Sequence, residues 1–167
     1  MSRLRRLYVS DHYFFVTCRL APGRDLLAER DLQLLAQSVH SARVKQGFFL
    51  TAWAFLPDHW HAIIYPRYPL TISTAMKSVK LKSTWLINAR RSEQGELWQA
   101  RFYDHALRTV GDYHDCVDYI HRNPVRRGLV EMPEQWNWSS VKAWSGITAG
   151  VLEIDPTNLP LDRTFRL

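Results

Sequence analysis

Apolar residues gather in four short stretches that are rich in aromatic and β-branched side chains. Such stretches, when bounded by turn-forming residues, are typical of buried strands. Pro22-Gly23 closes the first stretch, and Pro57-Asp58 joins the second to the third, which predicts a hairpin between them. The predicted strands are residues 13–20, 48–56, 59–66 and 101–109.

Between the strands, apolar positions recur every three or four residues, which predicts amphipathic helices. The first helix runs from Asp31 to about Gln46, with Asp31 capping its start and Gly47 its end. The second covers residues 71 to about 91. The positions that mark its apolar face are Ile72, Met76, Val79 and Leu86.

A third helix opens at Gly111-Asp112. We expect it to end near Asn123, because Pro124 disfavours helical geometry in the residue before it. The pattern of residues 136–144 predicts a short packed helix.

The order strand, helix, strand, strand, helix, strand, helix predicts an α+β fold. Two helices beside an antiparallel four-stranded sheet are typical of ferredoxin-like or RRM-like domains. We expect one domain over residues 1–150, with an irregular C-terminal tail at 151–167.

Composition narrows the function classes. The 167 residues carry 22 Lys and Arg against 16 Asp and Glu, a formal charge of +6, which favours a polyanionic partner without saying what is done to it. The two cysteines, Cys18 and Cys116, lie far apart, which excludes a disulfide scaffold or a cysteine zinc finger. No apolar run approaches the roughly 18 to 20 residues of a membrane span. We therefore expect a cytoplasmic protein with no membrane partner.

His59 and His61 are two residues apart on the third predicted strand, so both side chains leave from the same face. Two imidazoles at this spacing can supply two ligands to a divalent ion. The motif is weak alone, since both histidines could equally be packed or solvated on a sheet.

Tyr119 and Asn123 are neighbours one turn apart on the third helix. We expect them on a polar flank with Asp112 and Asp115. The adjoining apolar face would comprise Tyr113, Cys116, Val117 and Ile120. Tyr119 could simply border the core, and Asn123 could simply end the helix. Together with the histidines, however, they describe a phosphodiester-cutting site, because a tyrosine nucleophile needs a metal ion to polarise the phosphate.

The segments DHWHAIIYP (58–66), DYIHRNPVRRGLV (118–130) and WNWSS (136–140) resemble the single-tyrosine HUH transposases, in particular the REP-associated tyrosine transposases. His59 and His61 match the His-hydrophobic-His motif, Tyr119 the nucleophile, and Asn123 the third metal ligand. The resemblance implies a ferredoxin-like fold and Mg²⁺ or Mn²⁺ as the ion. It also implies a single-stranded DNA hairpin as substrate and a covalent 5′-phosphotyrosine intermediate with a free 3′-hydroxyl.

The resemblance further implies a bacterial, nucleoid-associated enzyme, and leaves open whether it acts as a monomer or a homodimer. Whether it mobilises its own element or serves the chromosome is also open.

Three basic clusters are candidates for DNA contact. They are Arg3, Arg5 and Arg6; Lys77, Lys80 and Lys82; and Arg122, Arg126 and Arg127.

Two other functions deserve comparison. A non-catalytic binding module could stack single-stranded DNA or RNA on an RRM-like sheet. Such a module has no need of paired histidines or of a tyrosine one turn before an asparagine. A zinc hydrolase is disfavoured because Ala62, Ile63 and Ile64 follow the histidines where further ligands would be expected.

Overall fold

The computed structural model describes residues 10–147 and 150–157. Arg3, Arg5 and Arg6 therefore lie outside the described residues. The elements are β1 (Phe14–Arg19), α1 (Glu29–Gln46), β2 (Phe49–Phe55), β3 (His59–Tyr65), α2 (Ile72–Arg91), β4 (Tyr103–Ala106), α3 (Val110–Arg126), a 3-10 turn (Pro133–Gln135) and α4 (Val141–Trp144). No helix of this described part is long and apolar enough to cross a membrane.

The four strands form one antiparallel sheet in the order β2-β3-β1-β4. This confirms the α+β, ferredoxin-like prediction, because β1 and β3 are central and each is followed by a helix. The predicted hairpin of β2 and β3 is present, and the Leu56 amide donates to the His59 carbonyl across its turn (2.8 Å). β4 is shorter than the predicted residues 101–109 and pairs with β1 alone among the strands.

The two faces of the sheet carry different layers. From β3, the side chains of Trp60, Ala62 and Ile64 enter the larger hydrophobic cluster, which α1 and α2 cover. His59, His61 and Ile63 alternate with them and leave toward the opposite face. α3 covers that face through Tyr113, Val117 and Ile120, which pack with Ile63. The histidines therefore lie under α3.

α3 extends beyond its predicted end. The helix runs through Pro124 to Arg126, so the expected stop near Asn123 is wrong. Proline disfavours but does not forbid helical geometry before it, and here the ring is buried in the last turn. The turn closes normally, with the Arg127 amide donating to the Asn123 carbonyl (3.0 Å).

α1 begins earlier than predicted, at Glu29, so Asp31 is its third residue and not its cap. The Asp31 carboxylate still serves the helix start, since it accepts from the Ala28 amide (2.9 Å). Gly47 ends the helix as predicted, in the left-handed conformation with φ 74°. On α2, Leu86 is half-buried, and its neighbour Ile87 occupies the core position.

A segment near the C-terminus covers the free edge of β2. The Phe55 amide donates to the Trp138 carbonyl (2.8 Å), and the Ser140 amide donates to the Trp53 carbonyl (2.9 Å). These bonds satisfy backbone groups that an edge strand would otherwise expose. The short helix predicted within residues 136–144 is confined to α4.

Residues 150–157 contain no helix or strand, yet they are anchored to the core. Leu152 is buried and its carbonyl accepts from the Trp53 indole (3.0 Å). Asp155 forms an ion pair with Arg43 of α1 (2.6 Å). This part of the chain therefore packs on the face that α1 covers.

One buried carboxylate joins the two helices of that face. Asp31 is fully buried and pairs with Arg90 (2.7 Å) and Arg91 (2.8 Å) at the end of α2. Burial raises the pKa of Asp31, but the hydrogen bonds of Arg91, the Ala28 amide and Arg90 outweigh it and hold the pKa below its ordinary value. The carboxylate also complements the helix dipole at the start of α1. The two arginines complement the helix dipole at the end of α2.

We predict that Asp31→Asn lowers the free energy of unfolding by about 2–4 kcal/mol at pH 7, because both arginines lose a buried partner. The pKa of Asp31 is lower in the folded than in the unfolded protein, so its ionised carboxylate stabilises the fold above about pH 4. This stabilisation is lost as the pH falls through the pKa of the folded state. The deficit in urea unfolding should therefore shrink toward pH 3. Exposed Glu29→Gln is the control and should cost less than about 1 kcal/mol. Equal stability of Asp31→Asn and wild type at pH 7 would contradict the prediction.

Candidate active site

The two histidines of β3 stand side by side beneath α3. His59 and His61 are 3% and 2% exposed, and their ring centroids are 4.7 Å apart with the planes at 80°. The shared face expected from their spacing is therefore present. Both rings are held by hydrogen bonds.

The ring of His61 is fixed on both sides. Its Nδ1 lies 2.7 Å from Thr17 Oγ1 on β1, and its Nε2 lies 3.1 Å from Asn123 Nδ2 on α3. An amide nitrogen can only donate, so Nε2 accepts and the ring proton sits on Nδ1, where it is donated to Thr17. His61 thus joins a central strand to the helix that carries Tyr119.

The ring of His59 is held through the residue before it. His59 Nδ1 donates to Asp58 Oδ1 (2.6 Å), and Asp58 Oδ2 accepts from Arg127 Nη2 (2.7 Å) just beyond α3. The carboxylate fixes the tautomer of His59 in the way that outer carboxylates orient metal-binding histidines. It also ties the hairpin turn to the C-terminal end of α3.

Burial keeps both rings neutral. It lowers the pKa of His61 to about 3, with further lowering from the charges of His59 and Arg19. Burial also lowers the pKa of His59, against the opposing hydrogen bond and charge of Asp58. A neutral imidazole keeps the nitrogen lone pair that binds metals. Both histidines are therefore neutral at neutral pH. The lone pair of His61 is on Nε2 and here accepts from Asn123 Nδ2, so a bound ion would require this amide to turn its Oδ1 toward the ion.

Tyr119 borders this pair on the solvent side. Its side chain is 37% exposed, and its ring centroid lies 5.3 Å from that of His61 and 5.7 Å from that of Phe15, both edge-to-face. The guanidinium carbon of Arg126 lies 5.2 Å from the centroid of the same ring. The tyrosine is thus oriented by packing while its ring remains accessible.

Asn123 lies one turn after Tyr119 on the same side of α3, as predicted, but unlike Asp115 it is buried. It is 4% exposed, because the side chain turns toward His61 under α3. Its Oδ1 is buried and has no hydrogen-bond partner among the described residues. A buried oxygen without a partner costs about 1–3 kcal/mol, which a bound cation would remove.

The donor set suits a divalent ion held by few protein ligands. Within residues 10–147 and 150–157, no three His, Cys, Asp or Glu side chains converge on a possible metal position. Two neutral imidazoles and the unpartnered oxygen of Asn123 are what the site offers. This set fits an ion that leaves other positions to water or phosphate oxygens.

Sequence reasoning missed three residues around the histidines. Asp58 directly precedes His59, so an acidic residue next to a candidate metal ligand was the sequence signal for this carboxylate-histidine pair. Thr17 and Arg19 depend on strand register, since Thr17 pairs with His61 and Arg19 with His59 across β1 and β3. No pattern along the chain specifies that register.

The candidate DNA-binding residues fall on different faces. Arg122, Arg126 and Arg127 are exposed at the end of α3, on the face of the histidines. Lys77 and Lys82 are exposed on α2, across the sheet, where Lys80 donates to the carbonyls of Gln99 and Ala100. The two groups therefore do not form one continuous patch with Tyr119.

Comparison with known proteins gives consistent matches. A family model described as "Transposase IS200 like" matches residues 8–123. A REP-associated tyrosine transposase of Escherichia coli K12 is 31% identical over 141 residues, which cover 84% of this chain and 82% of that protein. A solved structure of a REP-associated tyrosine transposase bound to a REP hairpin is 28% identical, with a TM-score of 0.76. The match covers 100% of this chain and 99% of that one.

We predict that the ring of His61 stays neutral at pH 5 in the metal-free protein, with its proton on Nδ1. An ordinary histidine, with a pKa near 6.5, would be mostly charged there. Long-range ¹H–¹⁵N correlation spectra between pH 7 and pH 5 report both the charge and the tautomer. The urea-unfolded chain is the control, in which every histidine should become charged over that range. A charged His61 at pH 5, or a proton on Nε2, would contradict the hydrogen-bond arrangement.

Proposed function

Since the family model spans most of the chain, the chain belongs to the IS200-like transposase family and is an enzyme, and we propose that it cuts and rejoins single-stranded DNA through Tyr119. The observation that carries the proposal is the packing of the Tyr119 ring 5.3 Å from the ring of His61, within the only described cluster that joins β3 to α3 by polar contacts. A nucleophile and a ligand set thus share one site.

His59, His61 and Asn123 would hold Mg²⁺ or Mn²⁺. When bound, the ion supplies polarisation of the scissile phosphate and offsets the negative charge that grows in the transition state. Imidazole nitrogens are less suited to Mg²⁺ than to Mn²⁺, so the donor set favours tighter binding of Mn²⁺. Asp58 and Thr17 would serve the same purpose indirectly, since each fixes the tautomer of one histidine.

Tyr119 would attack the phosphorus of the DNA strand. The bond from Tyr119 Oη to phosphorus forms, the bond from phosphorus to the 3′-oxygen breaks, and the product is a 5′-phosphotyrosine with a free 3′-hydroxyl. The phenol proton leaves to solvent, which reaches the side chain because 37% of it is exposed, and solvent returns a proton to the departing 3′-oxygen. Because the covalent bond conserves the energy of the cleaved one, a 3′-hydroxyl can reverse the step and join strands.

The DNA substrate would be a hairpin. The relatives support this, since the E. coli protein is named a REP-associated tyrosine transposase and the solved structure is described as bound to a REP hairpin. We propose a palindromic hairpin with single-stranded flanks as substrate. The basic residues Arg122, Arg126 and Arg127 lie on the face of the site and are suited to phosphate contacts.

The non-catalytic alternative needs an open sheet. RRM-like modules stack bases on exposed aromatic side chains of the sheet surface. Here Tyr13 and Phe15 are 4% and 8% exposed, because α3 lies over them. The sheet face that would bind bases is thus occupied by the helix that carries Tyr119, which favours the enzyme.

We predict that Tyr119→Phe abolishes the covalent DNA adduct and leaves hairpin affinity within about threefold of wild type, since the phenol oxygen attacks and the ring mainly packs. The measurement is a labelled hairpin with single-stranded flanks, incubated with Mn²⁺ and resolved on a denaturing gel, beside fluorescence anisotropy for affinity. Tyr103→Phe, on the exposed edge strand of the same face, is the matched control and should form the adduct normally. An adduct of undiminished yield in Tyr119→Phe would show that another residue attacks.

We predict that His59→Asn weakens Mn²⁺ binding and metal-dependent cleavage by about two orders of magnitude, because one of few protein ligands is lost. Calorimetry with Mn²⁺ alone measures the first effect, and adduct formation measures the second. His105→Asn, an exposed histidine on β4, should change neither. If Mn²⁺ affinity in His59→Asn equals that of wild type, the metal site lies elsewhere.

A further inference from the structure

Arg19 stands at the site although the sequence offers no sign of it there. It is the last residue of β1, and its Cα pairs with that of His59 across the antiparallel ladder. Residues paired in this way share a face of the sheet. Cys18 and Leu20, on either side of Arg19, are buried in the cluster beneath α1 and α2. The Arg19 side chain therefore leaves on the face of the histidines, where it is exposed.

The charge of Arg19 reaches the site. Arg19 and His59 are directly opposite each other on neighbouring antiparallel strands, so their Cβ atoms lie about 4.5–5.5 Å apart and the Arg19 side chain starts beside that of His59. A permanent cation beside the histidine pair repels a second cation placed there, such as a metal ion. The arrangement becomes favourable when an anion lies between the two cations, as a DNA phosphate would.

Two arginines at the C-terminal end of α3 already have partners. Arg127 pairs with Asp58, and Arg126 lies over the ring of Tyr119. For Arg19, no carboxylate among the described residues lies within ion-pair distance. Asp58, the acid nearest in sequence to the histidines, is occupied by His59 and Arg127. Arg19 is thus an arginine on the face of the site whose charge no described carboxylate neutralises.

The position of Arg19 along the strands separates it from Tyr119. The tyrosine ring contacts His61 and Phe15, whereas Arg19 lies level with His59. Phe15 and Arg19 are four residues apart on β1, which corresponds to about 13 Å. An in-line displacement at phosphorus requires the attacking and leaving oxygens on opposite sides. A phosphate above the histidine pair would meet Tyr119 on one side and Arg19 toward the other.

We propose that Arg19 binds the scissile phosphate beside His59, on the side away from Tyr119, and stabilises the charge that develops there as the 3′-oxygen leaves. This inference rests on the proposed function and adds a residue that touches the reacting phosphate. The planar guanidinium can donate two parallel hydrogen bonds to phosphate oxygens. Arg19 gives up no proton, and the bonds made and broken remain those of the attack by Tyr119.

The test compares Arg19→Ala and Arg19→Lys with wild type under single-turnover conditions, with Mn²⁺ and a palindromic hairpin that carries single-stranded flanks. We expect Arg19→Ala to slow adduct formation about 10²- to 10³-fold, the usual effect of removing one donor to a developing charge. Hairpin affinity should fall less than about tenfold, since many other phosphates remain in contact. Arg19→Lys should recover part of the rate, because it restores the charge but not the paired donors.

Two controls separate this role from a structural or general charge effect. Arg30→Ala removes an exposed arginine from α1, across the sheet, and should retain the wild-type rate. Calorimetry with Mn²⁺ alone should show that Arg19→Ala binds the ion at least as tightly as wild type, since a nearby cation has been removed. Loss of Mn²⁺ binding together with a lower Tm in Arg19→Ala would indicate a structural role and overturn the inference.

The outcomes for the two proposals differ. If wild type forms the adduct and Arg19→Ala forms it at the same rate, the role of Arg19 is wrong and the proposed function stands. If wild type forms no adduct with the hairpin and Mn²⁺, the proposed function is wrong and the role of Arg19 falls with it.

Discussion

The site depends on the alternation of side chains along β3. His59 and His61 leave one face of the sheet, and Trp60 between them leaves the other, where it is fully buried against the helices. If the pairing of β3 slipped by one residue, Trp60 would move to the face under α3 and the two imidazoles would move into the apolar core under α1 and α2. Burying imidazole nitrogens there without hydrogen-bond partners would cost several kcal/mol. Packing on the far face therefore holds the histidines in place on the near one.

The second requirement is a helix laid across the near face. Val117 and Ile120 bury one side of α3 against the sheet, and helical geometry then directs Tyr119 and Asn123 to the neighbouring side. Extension through Pro124 keeps the last turn intact, which brings Arg127 to Asp58. The polar groups beneath α3 form two hydrogen-bonded chains, Thr17–His61–Asn123 and His59–Asp58–Arg127. Asn123 Oδ1, at the end of the first chain, is one of the buried atoms that have no partner among the described residues. An ion bound beside the histidines would give this oxygen a partner.

Patterns along the chain could predict most of the architecture, because periodicity reports directly on local structure. The strands, the hairpin, the α+β fold class and the shared face of His59 and His61 all followed from it. Helix ends were less certain, since Asp31 has the residue type of a cap but serves from the third position, and Pro124 is tolerated where burial compensates. The burial of Asn123 and the positions of Thr17 and Arg19 depend on contacts between distant segments, which local patterns do not contain.

Charge illustrates the same distinction. The formal charge of +6 favours a polyanionic partner, but it treats every arginine as equivalent. In the folded chain, Arg127 holds the carboxylate that orients His59, and Arg126 covers the ring of Tyr119. Arg19 lies on the face of the histidines, with no acidic partner in the part of the chain that the structure describes. Proximity in sequence to Tyr119 selects the first two and overlooks the third, because strand pairing and not chain distance brings Arg19 to His59. In the role that we propose for Arg19, the register of β1 on β3 is what brings positive charge to the scissile phosphate.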